Sequence, residues 1–329
     1  MLRTVSRLIV VLVAASCSNV SPNSTGDAPA TPGSTLPPAA TAVTSAASTT
    51  TTAIVPPAPV TTTVPATTTT INRSHAGERM QDDLAVLVGF GVREAGSGPE
   101  ADAAGFLRSS LEGLGSEVAV GAVPLPNGLS SSNLVVSFGD GPVQVLFGAH
   151  YDSKPPSPGA DDNGSGTVVL LELARRLGES PVPGVKVTVA FFGAEEILIG
   201  FDNNAHHFGS RLLADQMEAD GNLPDFMVSA DMVGVGERLL AATYLDSDPS
   251  AAELLVEAAA GLEIGVQTDR RGDISDHEAF ARKSVPSVFL WRPDNADYHL
   301  ATDDQVRTKA LLEDLAILEA FLDLVALRG

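Results

Sequence analysis

Five side chains of the types that bind zinc occur between residues 150 and 299, and most of them follow an apolar segment or lie in a glycine-rich one. They are His150, Asp162, Glu196, Asp231 and His299, with one further carboxylate, Glu195, beside the third. Zinc binds imidazole nitrogen and carboxylate oxygen, and two zinc ions about 3.5–4 Å apart can share one carboxylate because it has two oxygens. The set therefore predicts a site for two Zn2+ ions and a water molecule activated for hydrolysis.

The shared carboxylate would come from Asp162 or Asp161. Both lie in the segment PGADDNGSG (158–166), a glycine-rich turn in which the backbone can bring a side chain close to two ions. Spacing alone does not distinguish the two aspartates. The other four ligands would form two pairs, His150 with Asp231 and Glu196 with His299.

Three more residues have types and positions suited to catalysis. Glu195 is free of the ligand set, so it would take a proton from the attacking water and return it to the leaving amine. Tyr298, adjacent to His299, is placed to donate a hydrogen bond to the oxyanion of the tetrahedral intermediate. Asp152, two residues after His150, would fix the tautomer of that imidazole.

The elements that must position these residues follow from hydrophobic patterning. The segments VQVLFGAH (143–150), VTVAFFGAEE (187–196) and FMVSAD (226–231) each run from apolar, β-branched residues to a candidate ligand. This pattern indicates buried strands, and ligands of open α/β sheets bind at the carboxyl ends of such strands.

Predicted helices and strands alternate through the rest of this region. Helices are expected near 77–89, 98–114, 166–178, 203–218, 249–262 and 304–327, and strands near 116–123, 132–138, 143–149, 184–192, 226–232, 239–245 and 286–291. Alternation of this kind predicts an α/β fold of three layers, a mostly parallel mixed sheet with helices on both faces.

The amino-terminal residues have the pattern of an export signal. Residues 1–7 carry two arginines, residues 8–15 are apolar but too few to span a bilayer, and small residues precede Cys17. Residues 1–17 are therefore predicted to be a lipoprotein-type signal peptide that ends at a lipidated Cys17, which would anchor the exported chain at the outer face of a bacterial membrane. An ordinary signal peptide with an incidental cysteine is the alternative.

Composition divides the remaining chain in two. Residues 18–74 are rich in Thr, Ser, Pro and Ala, which predicts a disordered linker, and residues 75–329 have the size of one large α/β domain. The formal net charge of −21 falls almost entirely in that domain. Without a basic patch, nucleic acid is not an expected partner.

The ligand segments resemble a known family, the co-catalytic di-zinc aminopeptidases, whose group also includes glutamate carboxypeptidases and glutaminyl cyclases. The motifs His-x-Asp, Gly-Ala-x-Asp-x-x-Ser-Gly, Glu-Glu, Asp-Met and Tyr-His occur here in the family's order. The resemblance implies a zinc-exopeptidase fold, two Zn2+ ions and peptide substrates with a free amino terminus, and its register selects Asp162 over Asp161. Similarity to Ser-Asp-His-x-x-Phe places four residues near the substrate pocket: Ser275, Asp276, His277 and Phe280.

The chain departs from the family pattern at two places. The segment ILIGFDNNAHHFGSRLL (197–213) is longer than the usual turn after the paired glutamates, and Leu300 replaces a small polar residue. Both changes could reshape the substrate pocket. His206 and His207 in the longer segment could ligate a metal, although a packing or surface role is commoner for such a pair.

Three functions are compatible with these residues. The first is an aminopeptidase in which a carboxylate such as Glu195 or Asp231 meets the ammonium of the substrate. The second is another hydrolase or acyl-transfer enzyme of the same fold, a carboxypeptidase or glutaminyl cyclase. The third is a catalytically inert, surface-tethered module that binds zinc.

Overall fold

The structure is a computed structural model that describes residues 66–272 and 274–329, with side chains from residue 75 onward. The predicted signal peptide, Cys17 and most of the predicted linker lie outside the described residues and stay predictions. Within the described ranges, none of the helices combines the length and apolar character of a membrane span.

Eight strands form one mixed sheet in the described part of the chain. They are β1 (Ala119–Pro124), β2 (Ser130–Phe138), β3 (Val143–His150), β4 (Val185–Phe192), β5 (Phe226–Ala230), β6 (Leu240–Tyr244), β7 (Gln267–Arg271) and β8 (Ser287–Trp291). Their spatial order is β1-β2-β4-β3-β5-β8-β6-β7, and the four central strands β4, β3, β5 and β8 are mutually parallel. β6 and β7 are also parallel, and the other three pairings are antiparallel.

Seven α-helices and one π-helical turn accompany the sheet over the same residues. They are α1 (Ala66–Gly89), α2 (Gly98–Glu112), the π-helical turn Ala160–Ser165, α3 (Gly166–Glu179), α4 (Phe208–Ala219), α5 (Ser250–Gly261), α6 (His277–Ala281) and α7 (Thr308–Arg328). Six of the helices were predicted, with α1 beginning earlier and α4 later than expected. The five-residue α6 was not predicted.

Alternate residues of the central strands pack on opposite faces of the sheet. Val145 and Phe147 of β3 belong to a large cluster with apolar residues of α1, α2, α3, α5 and α7, whereas Leu146 belongs to a smaller cluster with residues of α4 and α6. Because side chains alternate along a strand, these clusters lie on the two faces. The three-layer prediction is confirmed.

The parallel strands bring their carboxyl ends to one edge of the sheet. β3 and β4 are paired from Val143↔Val185 to His150↔Phe192, so His150 lies level with the point at which the chain continues to the paired glutamates. Asp231 follows β5, the other neighbour of β3. Gly166 allows α3 to begin against this edge, because a Cβ there would collide with the carbonyl oxygen of Ala230.

Candidate metal centre

The predicted ligands form two clusters that share one residue. His150, Asp162 and Asp231 make one cluster, and Asp162, Glu196 and His299 make the other; within each, one ligand atom per residue lies within 4.8 Å of the others. Asp162 Oδ1 is 3.3 Å from His150 Nε2, and its Oδ2 is 3.0 Å from His299 Nε2. The two oxygens of one carboxylate therefore face different clusters, the arrangement that a shared ligand of two ions requires.

The remaining distances are equally short. His150 Nε2 lies 3.4 Å from Asp231 Oδ1, and His299 Nε2 lies 3.0 Å from Glu196 Oε1. His150, Asp231 and Glu196 are buried, and His299 is partly exposed. The second cluster is thus the one closer to solvent.

Several buried atoms of the first cluster make no hydrogen bond, although charged groups lie near them. Both ring nitrogens of His150 and Oδ1 of Asp231 have no hydrogen bond in the structure. Burying a polar atom without a hydrogen bond costs about 1–3 kcal/mol of folding free energy in mutational data. Such atoms therefore need a cation, a water molecule or a proton as a partner. Imidazole and carboxylate are zinc ligands, and the residues present therefore fit that metal.

The electrostatics of the site also favour a cation. Burial lowers the pKa of His150, but the carboxylates of Glu195 and Asp231 outweigh burial and raise it well above the usual value. Burial, together with the charge of Asp162, raises the pKa of Glu196. Both directions mean that the site gathers protons to offset its excess of carboxylates, a role that metal ions would take over.

Asp161 points away from the ligand clusters. Its Oδ1 accepts a hydrogen bond of 2.7 Å from the backbone N–H of Gly234, and its Oδ2 accepts one of 2.8 Å from Asn295 Nδ2. Burial raises the pKa of Asp161 to about 7. Asp161 therefore links its own turn to the loops that contain Gly234 and Asn295. Of the two aspartates, only Asp162 belongs to both ligand clusters.

Asp303 holds the π-helical turn that carries Asp162. Its two carboxylate oxygens accept hydrogen bonds from the backbone N–H groups of Asp161 and Asp162, at 3.0 and 3.2 Å. Asn163 ties the other side of the turn, since its Nδ2 donates to the carbonyl oxygen of Ala230 at 2.9 Å. Neither residue was predicted to support the site, because their partners become neighbours only after folding.

Asp152 contacts both His150 and the backbone of the paired glutamates. Its Oδ1 lies 3.4 Å from His150 Nδ1, as expected for a residue that orients the imidazole. The same carboxylate accepts hydrogen bonds of 3.1 Å from the backbone N–H groups of Glu195 and Glu196. Asp152 is fully buried and so acts on the geometry of its neighbours.

Ser275 orients a ligand of the first cluster. Its hydroxyl donates to Asp231 Oδ2 at 2.8 Å and lies 3.0 Å from the hydroxyl of Ser229. Ser275 is fully buried, and the atom it binds belongs to the protein. Ser275 therefore contacts Asp231 and does not line the cleft beside the ligands.

The three residues that follow Ser275 in the predicted pocket motif are also buried. Phe280 packs in the smaller apolar cluster with Phe192, and His277 stacks on Phe289 with 5.5 Å between ring centroids. Asp276 has no exposed surface. The resemblance places these residues near the substrate pocket; in the structure all three are buried, and none of them lines the cleft beside the ligands.

The sequence of residues 133–316 matches the model of Peptidase family M28. That segment is more than half of the 329-residue chain. The chain belongs to peptidase family M28.

Two curated relatives illustrate the range of similarity. The chain is 35% identical over 153 residues to aminopeptidase YwaD of Bacillus subtilis, covering 45% of this chain and 32% of that protein. It is 53% identical over 60 residues to the probable lipoprotein aminopeptidase LpqL of Mycobacterium tuberculosis, covering 18% of this chain and 12% of that protein. The chain spans less than half the length of these relatives.

Solved structures share the fold. BSAP, a zinc aminopeptidase from Bacillus subtilis, superposes with a TM-score of 0.67 at 18% identity, covering 76% of this chain and 94% of that one. A glutaminyl cyclase from an Acidobacteriales bacterium superposes with a TM-score of 0.69 at 22% identity, covering 84% of this chain and all of that one. The predicted zinc-exopeptidase fold is confirmed.

A cleft of about 350 Å³ opens beside the ligand clusters of this M28 chain. Its floor carries carboxylates of the site, including Glu195, and its walls are largely apolar, with Ile274, Phe289 and Trp291 among them. Arg271 also lines the cleft, with its guanidinium 5.2 Å from the centre of the Trp291 ring. The shape and lining suit one side chain of a bound molecule next to the metal ligands.

Tyr298 stands at the edge of the cleft. Half of its surface is exposed, and its ring stacks on that of His299 with 3.7 Å between centroids. Partial burial of the side chain, followed by the charges of Asp162 and Glu196, raises the pKa of Tyr298, so the hydroxyl stays protonated and can donate a hydrogen bond. Its predicted role as an oxyanion donor remains open to test.

Left-handed backbone occurs next to the site residues. Ala194, Met232, His207 and His299 all have φ between 52° and 59°. Such a φ is uncommon for residues other than glycine, and it is held only where surrounding contacts require it. No propensity in the sequence predicts these positions.

The two histidines of the M28 chain's longer segment belong to neither ligand cluster. His207 is buried, with its Nε2 2.8 Å from Glu195 Oε1, and the ring of His206 lies against it with 4.0 Å between centroids. The structure therefore favours the packing alternative over metal ligation for this pair, and it adds a contact with Glu195 that was not predicted.

Proposed function

We propose that the chain is a zinc-dependent aminopeptidase that hydrolyses the first peptide bond of peptides with a free amino terminus. The observation that carries this proposal is the pair of clusters joined by Asp162, with the unligated carboxylate of Glu195 beside them. Family membership and the names of relatives such as aminopeptidase YwaD support it.

The residues that would hold the metal are those of the two clusters. One Zn2+ would take His150 and Asp231, the other Glu196 and His299, and Asp162 would bind both. When bound, the ions supply Lewis-acid chemistry, which polarises the scissile carbonyl and makes water more acidic.

Glu195 is the residue placed to move the proton. Burial raises its pKa, but His150 and His207 outweigh burial and lower it, so the side chain is ionised and able to accept. In the proposed reaction its carboxylate takes a proton from the attacking water as the new C–O bond forms. The same proton passes to the amine nitrogen as the C–N bond breaks.

Other groups of the cleft would orient the peptide. The hydroxyl of Tyr298 is placed to donate to the carbonyl oxygen as negative charge develops on it. Carboxylates on the floor, Glu195 and Asp231 among them, would attract the terminal ammonium of a substrate. The apolar wall at Ile274 and Trp291 would receive the first side chain.

The test is residue release by the zinc-loaded protein from a peptide panel in which every peptide has a free and an acetylated amino terminus. Cleavage is expected for the free set only, and Glu195→Gln is expected to lower kcat by about 10²–10⁴-fold while zinc content stays the same. Equal cleavage of both sets would instead indicate a carboxypeptidase or endopeptidase. Pyroglutamate from a glutaminyl peptide would indicate a cyclase, and no product at all an inert module.

We further propose that the protein is exported and anchored through a lipid on Cys17. The signal pattern of residues 1–17 supports this, as does similarity to LpqL, a probable lipoprotein aminopeptidase. Membrane fractionation of cells expressing the full chain should find the wild type in the membrane fraction and Cys17→Ala outside it. The same fraction for both proteins would contradict the anchor.

A further inference from the structure

The imidazole of His207 bridges two buried carboxylates, one of which is Glu195. Its Nε2 is 2.8 Å from Glu195 Oε1, and its Nδ1 is 3.3 Å from Glu278 Oε2. His207 is 1% exposed. Since a carboxylate faces each ring nitrogen, both nitrogens can donate at once, as they do in a protonated imidazole.

Glu278 is fixed on the far side of the histidine. It is fully buried and accepts hydrogen bonds from Arg211 Nε at 3.1 Å and Arg211 Nη2 at 3.3 Å, and it also pairs with Arg282. The first of these arginines lies in α4, shortly after His207, and the second directly follows α6. His207 is therefore held on its Nδ1 side by the carboxylate of Glu278, whose charge is neutralised by two arginines.

The backbone holds the two residues together as well. The N–H of His207 donates to the carbonyl oxygen of Glu195 at 2.8 Å, and the N–H of Phe208 donates to that of Ala194 at 2.9 Å. Both Ala194 and His207 have left-handed φ, of 59° and 55°. These contacts define the start of α4 against the turn that carries Glu195.

The two oxygens of Glu195 consequently have different surroundings. Oε1 faces His207, whereas Oε2 lies 3.8 Å from His150 Nε2, on the side of the metal ligands. A carboxylate with one oxygen bound has fewer orientations to search than a free one. Its other oxygen is then held in one orientation towards the attacking water, and such orientation favours proton transfer.

We propose that His207 is a positioning residue for Glu195, whose Oε1 it binds through Nε2–H so that Oε2 is left to exchange the proton. This role rests on the proposed function, because it presupposes that Glu195 transfers a proton. The charges agree with it: burial opposes the protonated imidazole, but Glu195 and Glu278 outweigh burial and raise the pKa of His207 to about 10.

Two isosteric substitutions separate the two hydrogen bonds of the ring. In His207→Gln the amide nitrogen occupies roughly the place of Nε2 and keeps the donor to Glu195, whereas in His207→Asn it occupies roughly that of Nδ1 and keeps the donor to Glu278. Asparagine tolerates left-handed backbone better than most residues, so a loss in His207→Asn does not come from φ.

The expected result is a split between kcat and KM. We expect His207→Asn to lower kcat about 10–100-fold, the range for residues that orient a functional group through a hydrogen bond, and to leave KM and zinc content nearly unchanged. His207→Gln should keep most of kcat. The positioning role would be overturned if His207→Asn had the kcat of the wild type, or if His207→Asn and His207→Gln lost kcat equally. In either case cleavage by the wild type would still support the proposed function.

A second measurement does not depend on activity. The urea midpoints of wild type, Glu195→Gln, His207→Asn and the double variant, all stripped of metal, form a double-mutant cycle. Non-additive midpoint shifts are expected, because either single change already removes the ionic hydrogen bond between the imidazole and the carboxylate, and additive shifts would overturn the positioning role. A wild-type protein that releases no residue from any peptide would overturn the proposed function and the positioning role together.

Discussion

Asp161 and Asp162 are neighbours with the same side chain, yet folding gives them different partners. The first accepts hydrogen bonds from Gly234 and Asn295, and the second faces His150 and His299. The difference arises because successive residues of the π-helical turn point in different directions.

Substitution of each aspartate by asparagine should therefore change a different property of the protein. Asp162→Asn is expected to reduce bound zinc and abolish most activity, because an amide cannot offer two anionic oxygens. Asp161→Asn should retain zinc and lower the free energy of unfolding by about 1–3 kcal/mol, since one buried hydrogen bond is disturbed. Metal analysis after dialysis and urea unfolding measure the two quantities, and loss of zinc in Asp161→Asn alone would reverse the assignment.

Ser275 affords a second test at this scale. Ser275→Ala removes the hydrogen bond to Asp231 Oδ2 and should weaken zinc affinity about 10–100-fold, the usual effect of losing a ligand's supporting partner. Competition with a chromogenic chelator measures the affinity. Ser287→Ala is the matched control, because Ser287 is equally buried and its hydroxyl donates to the carbonyl oxygen of Val285. Ser287 begins β8, whereas the cleft lies at the other end of that strand, beside Trp291. Equal affinities in the two variants would contradict the role of Ser275.

The ligands could be predicted from the sequence because each stands in a short motif with a recognisable neighbourhood. The contacts of Asp303 and His207 could not. Asp303 binds residues more than a hundred positions earlier, and His207 reaches Glu195 through a left-handed turn. Single-residue propensities contain no information about such partners. The hydrogen bond from Ser275 to Asp231 is a further contact of this kind, since the two residues are 44 positions apart in the sequence.

Among the elements, the π-helical turn Ala160–Ser165 is held by a residue that is distant in the sequence. Asp303 binds two consecutive N–H groups of this turn with its two oxygens. Asp303→Ala should leave both N–H groups buried without a partner, lower the free energy of unfolding by about 1–3 kcal/mol for each, and weaken zinc binding. Urea unfolding and metal analysis test this. Asp304→Ala, at the exposed neighbouring position, should change neither.

Strands with an apolar pattern were predicted well, and elements without one were missed. The missed β7 has the sequence QTDRR and lies at the edge of the sheet with little burial, so no alternation marks it. The short α6 has no room for a helical period. β7 reaches the cleft through Arg271, and residues of such a region are selected for chemistry and shape more than for local propensity.

On the scale of the whole molecule, metal binding should be linked to protons. Burial lowers the pKa of His299, but hydrogen bonds to Asp162 and Glu196 raise it to about 9, and the pKa values of His150 and Glu196 are raised too. These groups therefore hold protons at neutral pH in the protein stripped of metal, and zinc must displace them. Zinc affinity should rise with pH from 6 to about 9.

Calorimetry of zinc binding in two buffers of different ionisation enthalpy measures the released protons directly. A chelator should correspondingly lower the melting temperature, because a ligand at 100 times its Kd stabilises the folded state by about 2.7 kcal/mol. An affinity independent of pH, with no proton release, would show that the cluster is not the zinc site.

Trp291 is the only tryptophan of the chain, and it lies in the wall of the cleft beneath Arg271. Indole emission from the protein accordingly has a single origin, next to the place where a peptide side chain would enter. Quenching or a shift of the emission maximum when peptide is added to the zinc-loaded protein would report occupancy of the cleft. Binding and turnover can thus be followed optically in real time, with no label on either molecule.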